Sequence, residues 1–535
     1  MKLDNSSEIQ DRKIDDPEAY IKNRNILTAA RGSGVLAIGR FFNIGGRLLV
    51  VLLLARALGA EQYGMYNLAM SAATLATAIG LFGLDDAMLR YIAIYAGRKD
   101  QEGLWGAILL GLGGTIATGI LTGVTLYLIA DPFSTRVFHQ PDLAPLLRLL
   151  SFVVPFLALS SVLIGIAHGL KKMQYSVIAE DVGQLLIRLV LLAILSLIRL
   201  DAMTTVIVFG ISDVLTCVAL VYLLNKDLKW GRPARSARFE VREIMSYSLP
   251  LWLAAMLSKF RTNINTIILG TVSSAVNVGV YSLISRANVI GHVSYLSIVR
   301  SVRPVLADLS SRGAHAQMES IYQTSTRWMI LLNLPIFLLL VLFPNSILAL
   351  FGASYTTGAQ ALVILACAEL FDASTGICGS IIDMGGYTGL KLFNAISQLG
   401  ILIGLNLLLV PPWGMVGTTT AVLLSIIYVN LVRIIEVWVL FRILPYNLTF
   451  IKPVLAGLAA CAAAMVTARL FGQSVPLVLV IGQAAIISLV MGGTLLLLGL
   501  EPEDRLIADR LLQRVNSIYV RQRGLFTRYL TAKLP

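Results

Sequence analysis

Charged residues are scarce in this chain. Only 14% of its 535 residues are Asp, Glu, Lys or Arg, whereas 57% are hydrophobic, and the mean hydropathy is +0.78. A water-soluble protein uses roughly 25% charged residues to cover its surface. The shortage excludes a set of soluble domains and predicts an all-α polytopic membrane protein with lipid around most of its outside.

Cysteine is also rare, and no metal-ligating pattern exists. Each of the four cysteines falls inside an apolar run, without a Cys-x-x-Cys or Cys/His spacing; they are Cys217, Cys367, Cys378 and Cys461. This excludes a disulfide framework or a zinc site and favours buried, weakly polar side chains. The sequence predicts no metal and no cofactor.

The N-terminus has no apolar core of the kind that a cleavable signal peptide carries. Residues 1–32 are polar and of mixed charge, which predicts a cytosolic tail. The rest of the chain holds fourteen stretches of about the 20 apolar residues that cross a bilayer. We place them at 33–57, 64–89, 104–130, 143–169, 175–198, 203–224, 244–270, 279–304, 322–343, 358–383, 388–410, 414–441, 450–470 and 475–500.

Basic residues in the connections orient these spans. With the N-terminus inside, the cytosolic loops hold 14 Lys and Arg, while the outer loops hold only Arg136 and Arg199. The positive-inside rule therefore places both termini in the cytosol. We expect the protein in the cytoplasmic (inner) membrane. The net charge of +13 is explained by attraction to anionic lipid headgroups, so nucleic acid is not an expected partner.

Two stretches of the chain resemble one another. Leu58-Gly59 is followed by Gly64-x-Tyr66, and Leu269-Gly270 is followed by Gly279-x-Tyr281. Phe138 and Phe351, and Tyr175 and Tyr387, keep nearly the same separation as Gly64 and Gly279. We therefore predict two parallel six-helix bundles related by an axis along the membrane normal, an arrangement that permits alternating access to a site between them.

This repeat gives the predicted domain organisation. The N-lobe covers 33–227 and the C-lobe 244–445, joined by a basic cytosolic linker at 228–243. Two extra helices cover 446–500, and they are expected to form a lipid-facing groove. Residues 501–535 carry apolar side chains at roughly helical spacing, with arginines between them, which predicts a cytosolic amphipathic tail lying on the inner leaflet.

Several ionisable residues fall inside the predicted spans, where each costs at least about 2.5–3.5 kcal/mol unless it faces protein or water. Arg47 and Arg261 occupy corresponding positions of the repeat, as do Arg90 and Arg303. If the first helices of the two bundles face each other, they form a cationic cavity suited to phosphate. The candidate cavity residues are Arg40, Arg47, Arg90, Lys259, Arg261, Arg286 and Arg303.

Each arginine could instead pair with an acid in its own bundle. Arg90 and Arg303 lie near the inner membrane interface, and their side chains could also extend to the headgroups there. The intramembrane acids are candidates either for a coupling H⁺ or Na⁺ site or for structural pairs. They are Asp85, Asp86, Asp213, Glu369 and Asp372. Glu180 or Asp181 is a further structural candidate, as a partner of Arg188.

At this point a family resemblance becomes visible. The pattern Leu58-Gly59, Tyr63-Gly64-x-Tyr66, followed by Gly83-Leu84 and Arg90, resembles the first hairpin of polysaccharide and oligosaccharide flippases. These belong to the multidrug/oligosaccharidyl-lipid/polysaccharide exporter superfamily. The duplicated plan extends the resemblance over roughly residues 30–445.

The resemblance implies a transporter, not an enzyme, that moves an undecaprenyl-pyrophosphate-linked oligosaccharide to the outer leaflet. It also implies membrane lipids and polysaccharide polymerase or glycosyltransferase machinery as partners, and a monomeric state. A lipid II flippase is an alternative with the same span count, although the Asp-Ala-Phe stretch of that branch is replaced here by Tyr63-Gly64-Met65-Tyr66. A multidrug antiporter is another, although basic spans one, seven and eight suit an anion better. The sequence leaves open which glycan is carried and what drives transport.

Overall fold

The computed structural model describes the backbone of residues 17–197, 200–228, 237–471, 476–499, 501 and 504–505. It describes side chains from residue 45 onward, except those of 288–297, 470–471 and 476–477. Residues 1–16 of the predicted N-terminal tail, the centre of the basic linker and most of the amphipathic C-terminal tail lie outside this description.

The described residues are helical and contain no β-strand. The α-helices are α1 (Pro17–Leu81), α2 (Leu84–Arg98), α3 (Gln101–Pro132), α4 (Leu143–Gly169), α5 (Met173–Ser176), α6 (Leu185–Ser196), α7 (Ala202–Leu228), α8 (Val241–Val272), α9 (Ala275–Ser311), α10 (His315–Leu342), α11 (Pro344–Ala349), α12 (Ala359–Thr375), α13 (Cys378–Met384), α14 (Thr388–Phe441), α15 (Ile451–Phe471) and α16 (Pro476–Leu497). Two π-helical stretches, Phe133–Val137 and Val177–Gln184, and two 3₁₀ turns, Ala353–Gly358 and Leu448–Phe450, complete the order.

Nine helices of the described part are long and apolar enough to cross a membrane. The prediction of a polytopic all-α membrane protein is confirmed at this level, and the count of fourteen stays a prediction. Two of the long helices contain a break, α1 at Gly59 and α14 at Gly414. These breaks lie in or beside the connections predicted between spans one and two and between spans eleven and twelve.

Span two, predicted as one helix over 64–89, is broken at Phe82 and Gly83, which both have positive φ. Such a break leaves the last carbonyl groups of α1 without partners in the helix. α8 supplies a donor for one of them and another for the carbonyl group of Phe82, which directly follows α1. The Ser248 hydroxyl donates to the Phe82 carbonyl, and the Trp252 indole N–H donates to the Ala78 carbonyl at 2.9 Å. The Trp252 ring also stacks on Phe82, with centroids 5.0 Å apart.

Span ten is likewise divided. Predicted as one helix over 358–383, it consists of α12 and α13 separated at Gly376, whose φ is +68°. In the first half of the chain, span five begins with the π-helical stretch Val177–Gln184 before α6.

The chain divides into two compact units, residues 1–283 and 284–535. In the first unit, α8 contacts α1 and α2. In the second, α15 and α16 pack against each other and against α10, burying Ala456, Ala460 and Ile487. The unit boundary separates two parts that pack mainly within themselves, whereas the predicted linker at 228–243 separates the two copies of the repeat. The division into functional lobes stays a prediction.

Candidate functional site

Three cations of the first unit combine exposure with a position deep in long helices. Arg47 lies on α1, and Lys259 and Arg261 lie on α8; all three side chains are exposed. A rise of about 1.5 Å per residue puts Arg47 about 18 Å from the Gly59 break and Arg261 about 17 Å from the end of α8 at Val272. Within the described residues, none of the three forms an ion pair. Exposed cations of this kind can bind an anion such as phosphate.

A second arginine of this region is mostly buried and is paired with an acid. Arg188 on α6 contacts the Asp213 carboxylate of α7 at 3.0 Å and donates through Nε to the Ser212 hydroxyl at 2.8 Å. Its guanidinium carbon lies 4.2 Å from the centroid of the Phe209 ring. Arg47 is close enough for its charge to act on Arg188. Two positive charges therefore lie in the same region of the first unit, and Asp213 neutralises one of them.

Asp213 also accepts a hydrogen bond of 2.5 Å from the Gln184 amide. Its side chain is only 4% exposed, which explains why two donors converge on it. Gln184 ends the π-helical stretch that contains Glu180 and Asp181, and π-bulges occur frequently at functional sites. Arg188 pairs with Asp213 in the structure, whereas sequence reasoning had expected Glu180 or Asp181.

Asp85 and Asp86 occupy the first turn of α2, directly after the break in span two. The positive end of a helix dipole favours carboxylates there. Asp86 is exposed, Asp85 is half-buried, and the charge of Lys259 acts on Asp85. Both acids therefore lie at a helix N-terminus, and Asp85 is also within range of the charge of Lys259 on α8.

The two cations expected near the inner interface have local partners. The Arg90 guanidinium carbon lies 4.2 Å from the centroid of the Tyr247 ring, a cation–π contact. Arg303 pairs with Asp383 at 2.5 Å, and Lys391 contacts the same carboxylate at 3.0 Å. Both contacts supply structural roles, and the assignment of Arg90 and Arg303 to a cavity stays a prediction.

The remaining candidates lie on α1, α9 and α12. Arg286 is exposed on α9, and the side chain of Arg40 lies outside the described residues. Asp372 is half-buried and accepts a 2.7 Å hydrogen bond from the Asn430 amide. Glu369 is half-buried on α12. No group of acids, histidines and cysteines in the described part has the geometry of a metal site.

Sequence reasoning missed one buried cation. Arg327 on α10 has a side chain only 5% exposed and contacts Asp504 at 3.0 Å; the Trp328 indole N–H donates to the same carboxylate oxygen at 2.8 Å. Lys452 on α15 contacts Glu501 at 2.6 Å. The sequence shows Arg327 inside predicted span nine and three acids within four residues after span fourteen. Arg327 and Asp504, however, are 177 residues apart, so no local pattern pairs them.

The fold defines a polytopic helical membrane protein. A family model described as polysaccharide biosynthesis protein matches residues 29–310, just over half of the chain. The chain therefore belongs to the polysaccharide biosynthesis protein family. The resemblance found in the sequence is thereby confirmed at the level of the family, which indicates a transporter rather than an enzyme.

The chain is 24% identical over 410 residues to the probable low-salt glycan biosynthesis flippase Agl15 of Haloferax volcanii, covering 75% of this chain and 81% of that protein. Among solved structures, it resembles the lipid II flippase MurJ in an inward closed conformation, with a TM-score of 0.67, 13% identity and coverage of 85% and 97%. It also resembles an inward-facing multidrug resistance MATE family transporter of the MOP superfamily, with a TM-score of 0.63, 17% identity and coverage of 74% and 93%. These two structures establish the likeness of fold.

Proposed function

We propose that the protein moves an undecaprenyl-pyrophosphate-linked oligosaccharide from the inner to the outer leaflet of the cytoplasmic membrane by alternating access. Arg47 and Arg261 bind the pyrophosphate, and Arg40, Lys259 and Arg286 surround it. The lipid tail stays in the bilayer. Both termini are cytosolic, the protein acts as a monomer, and H⁺ or Na⁺ is the candidate coupling ion.

The observation that supports this proposal is the exposure of Arg47, Lys259 and Arg261 deep in α1 and α8. An arginine turned toward lipid at the bilayer centre costs at least about 2.5–3.5 kcal/mol. Exposed guanidinium groups at this depth are stable where they face a water-filled cavity. Such a cavity attracts anions, and the planar fork of arginine matches phosphate oxygens in pairs.

Membership in a polysaccharide biosynthesis family and likeness to a protein named as a glycan biosynthesis flippase support a glycan-linked lipid as the substrate. The negative charge of the pyrophosphate also suits export. Each elementary charge moved through 100 mV gains about 2.3 kcal/mol, so an inside-negative potential favours outward movement of an anion.

The test uses proteoliposomes that contain a fluorescent polyprenyl-pyrophosphate-linked oligosaccharide. Wild-type protein should expose the label to an outer-leaflet quencher. Arg47→Ala and Arg261→Ala should abolish this while the protein elutes as a folded monomer. The matched control is Arg312→Ala, which removes an exposed arginine that directly follows α9 and pairs with Asp308 on the last turn of that helix. Normal translocation in both cavity variants would overturn the proposal.

A substrate panel separates the alternatives. Faster movement of lipid II than of the oligosaccharide lipid would favour a peptidoglycan-precursor flippase. Export of organic cations that survives Arg47→Ala would favour a multidrug antiporter.

A further inference from the structure

The two glycines that open the corresponding stretches of the predicted repeat lie against each other. A Cβ atom built on Gly64 of α1 would come 1.8 Å from the Ala275 carbonyl oxygen and 2.8 Å from the Gly279 nitrogen. A Cβ atom built on Gly279 of α9 would come 1.9 Å from the Ala60 carbonyl oxygen and 2.9 Å from the Gly64 nitrogen. Any side chain at either position therefore forces the two backbones apart.

The contact is reciprocal. Ala60 and Gly64 are one helical turn apart on α1, and Ala275 and Gly279 are one turn apart on α9. Each member of one pair corresponds to a member of the other at the same separation of 215 residues. Gly64 lies against Ala275, and in the same way Gly279 lies against Ala60. This exchange of partners is the signature of a contact that straddles a two-fold axis.

The position of that axis indicates what the contact does during transport. In a parallel repeat the axis runs along the membrane normal, and the transport path follows it between the two copies. A contact on the axis therefore lies across the path. Gly64 follows the Gly59 break and Gly279 follows the end of α8 at Val272, and both connections are predicted to face outward.

We propose that the Gly64–Gly279 crossing closes the outer end of the transport path. The absence of a Cβ atom at both positions sets how strongly the closed form is favoured. This inference rests on the proposed alternating access. The glycines allow backbone atoms to approach as closely as small residues allow in other membrane helix pairs, and opening must separate the helices.

Neighbouring side chains give the crossing a rigid frame. Tyr63 and Tyr66 are almost completely buried beside Gly64, and Tyr281 is buried beside Gly279. Gly270 packs against Leu68 and Phe138, and the Gln62 side chain accepts a hydrogen bond from the Ala202 backbone. A frame of large buried residues cannot shift by a methyl group without cost, so an added Cβ atom should displace the equilibrium rather than be absorbed locally.

The experiment measures access to the path from outside. Thr262, exposed beside Arg261 on α8, is replaced by cysteine in a background without the four native cysteines. A membrane-impermeant maleimide is then added to the outer side of cells. Gly64→Ala and Gly279→Ala should each raise the labelling rate, by about 5- to 150-fold for a typical overpacking penalty.

The control is Gly404→Ala on α14, where a Cβ atom would meet no atom within 4 Å; its labelling rate should stay at the wild-type value. The double variant Gly64→Ala/Gly279→Ala should label little faster than either single variant. Once one Cβ atom has separated the helices, the second meets open space, and effects at one contact are not additive. Wild-type labelling in both single variants, with the proteins folded, would overturn the proposal.

A second measurement keeps the proposal falsifiable if an alanine variant does not fold. Cysteines replace Ala60 and Ala275, and a short reducible bifunctional thiol reagent joins them across the crossing. Cross-linking should stop labelling of the path and stop transport, and reduction should restore both. Transport that continues in the cross-linked protein would contradict an outer closure here. A change in labelling without any glycan translocation would instead contradict the proposed function and leave the closure intact.

Discussion

The intramembrane arginines fall into two groups that the structure separates clearly. Arg327 is buried and Arg188 is mostly buried, and each contacts a carboxylate on another segment of the chain. Arg47 and Arg261 are exposed, and within the described residues neither forms an ion pair. All four lie inside apolar helices. The comparison teaches that the partner, and not the residue type or its surroundings in sequence, decides whether a cation holds the fold together or is available to a ligand.

The largest expected effect comes from breaking a pair of the first group. Asp213→Ala should lower the free energy of unfolding by about 3–5 kcal/mol, because it leaves Arg188 buried without its counterion. The loss should appear as a lower melting temperature in detergent, followed by tryptophan fluorescence or by size exclusion after heating.

The matched control is Asp131→Ala. Its partner is Arg148, and both side chains of that pair are about half exposed, at 44% for Arg148 and 55% for Asp131. Exposed ion pairs contribute little, so this variant should melt within a degree or two of the wild type. Equal melting temperatures for the two variants would show that burial does not distinguish the pairs.

Replacing an arginine of the second group should leave the free energy of unfolding unchanged and weaken binding of the pyrophosphate-linked oligosaccharide. Arg47→Ala should reduce affinity for a soluble pyrophosphate-linked oligosaccharide by about 10- to 150-fold, the value of one hydrogen bond to a charged group. Arg47→Lys should recover part of the loss, since it keeps the charge but not the planar fork. Isothermal titration in detergent measures both, and an unchanged Kd for Arg47→Ala would remove it from the anion site.

Sequence patterns were sufficient for the helical membrane class because lipid exposure requires long apolar runs. They also placed the break at Gly59, which coincides with a polar interruption between apolar stretches. They could not find the breaks at Gly83 and Gly376, where the apolar pattern continues through the turn. The break at Gly83 is stabilised by Ser248 and Trp252, which are more than 160 residues away.

The candidate site was predictable only in part, for the same reason. The repeat alone gives Arg47 and Arg261 corresponding positions in the two predicted bundles. No local pattern, however, pairs Arg188 with Asp213 or Arg327 with Asp504, because such pairs depend on which helices pack together. Nearby acids in sequence pointed to Glu180 or Asp181 as the partner of Arg188, whereas packing supplied Asp213.

A smaller effect is expected at the break in span two. Trp252→Phe removes the N–H that donates to the Ala78 carbonyl and keeps an aromatic ring to stack on Phe82. The free energy of unfolding should fall by about 0.5–1.5 kcal/mol, the net contribution of one neutral hydrogen bond. Chemical denaturation measures the change. The control is Trp413→Phe, because the Trp413 side chain is 56% exposed; an equal loss in both variants would mean that the indole N–H contributes nothing specific.

The smallest effect should come from the short connection between α2 and α3, where Asp100 caps α3. Its carboxylate accepts a hydrogen bond of 2.9 Å from the Gly103 backbone N–H and contacts Arg238 at 2.7 Å. The Gly103 hydrogen bond and, to a lesser extent, the Arg238 charge lower the pKa of Asp100 below its ordinary value of 3.8. A carboxylate with a lowered pKa stabilises the folded state above the pKa of the unfolded chain, and that contribution disappears as the pH falls through the folded pKa. Denaturation midpoints of wild type and Asp100→Asn should therefore differ slightly at pH 6 and converge below pH 3, whereas a difference that stays constant over this range would exclude titration of Asp100 as its cause.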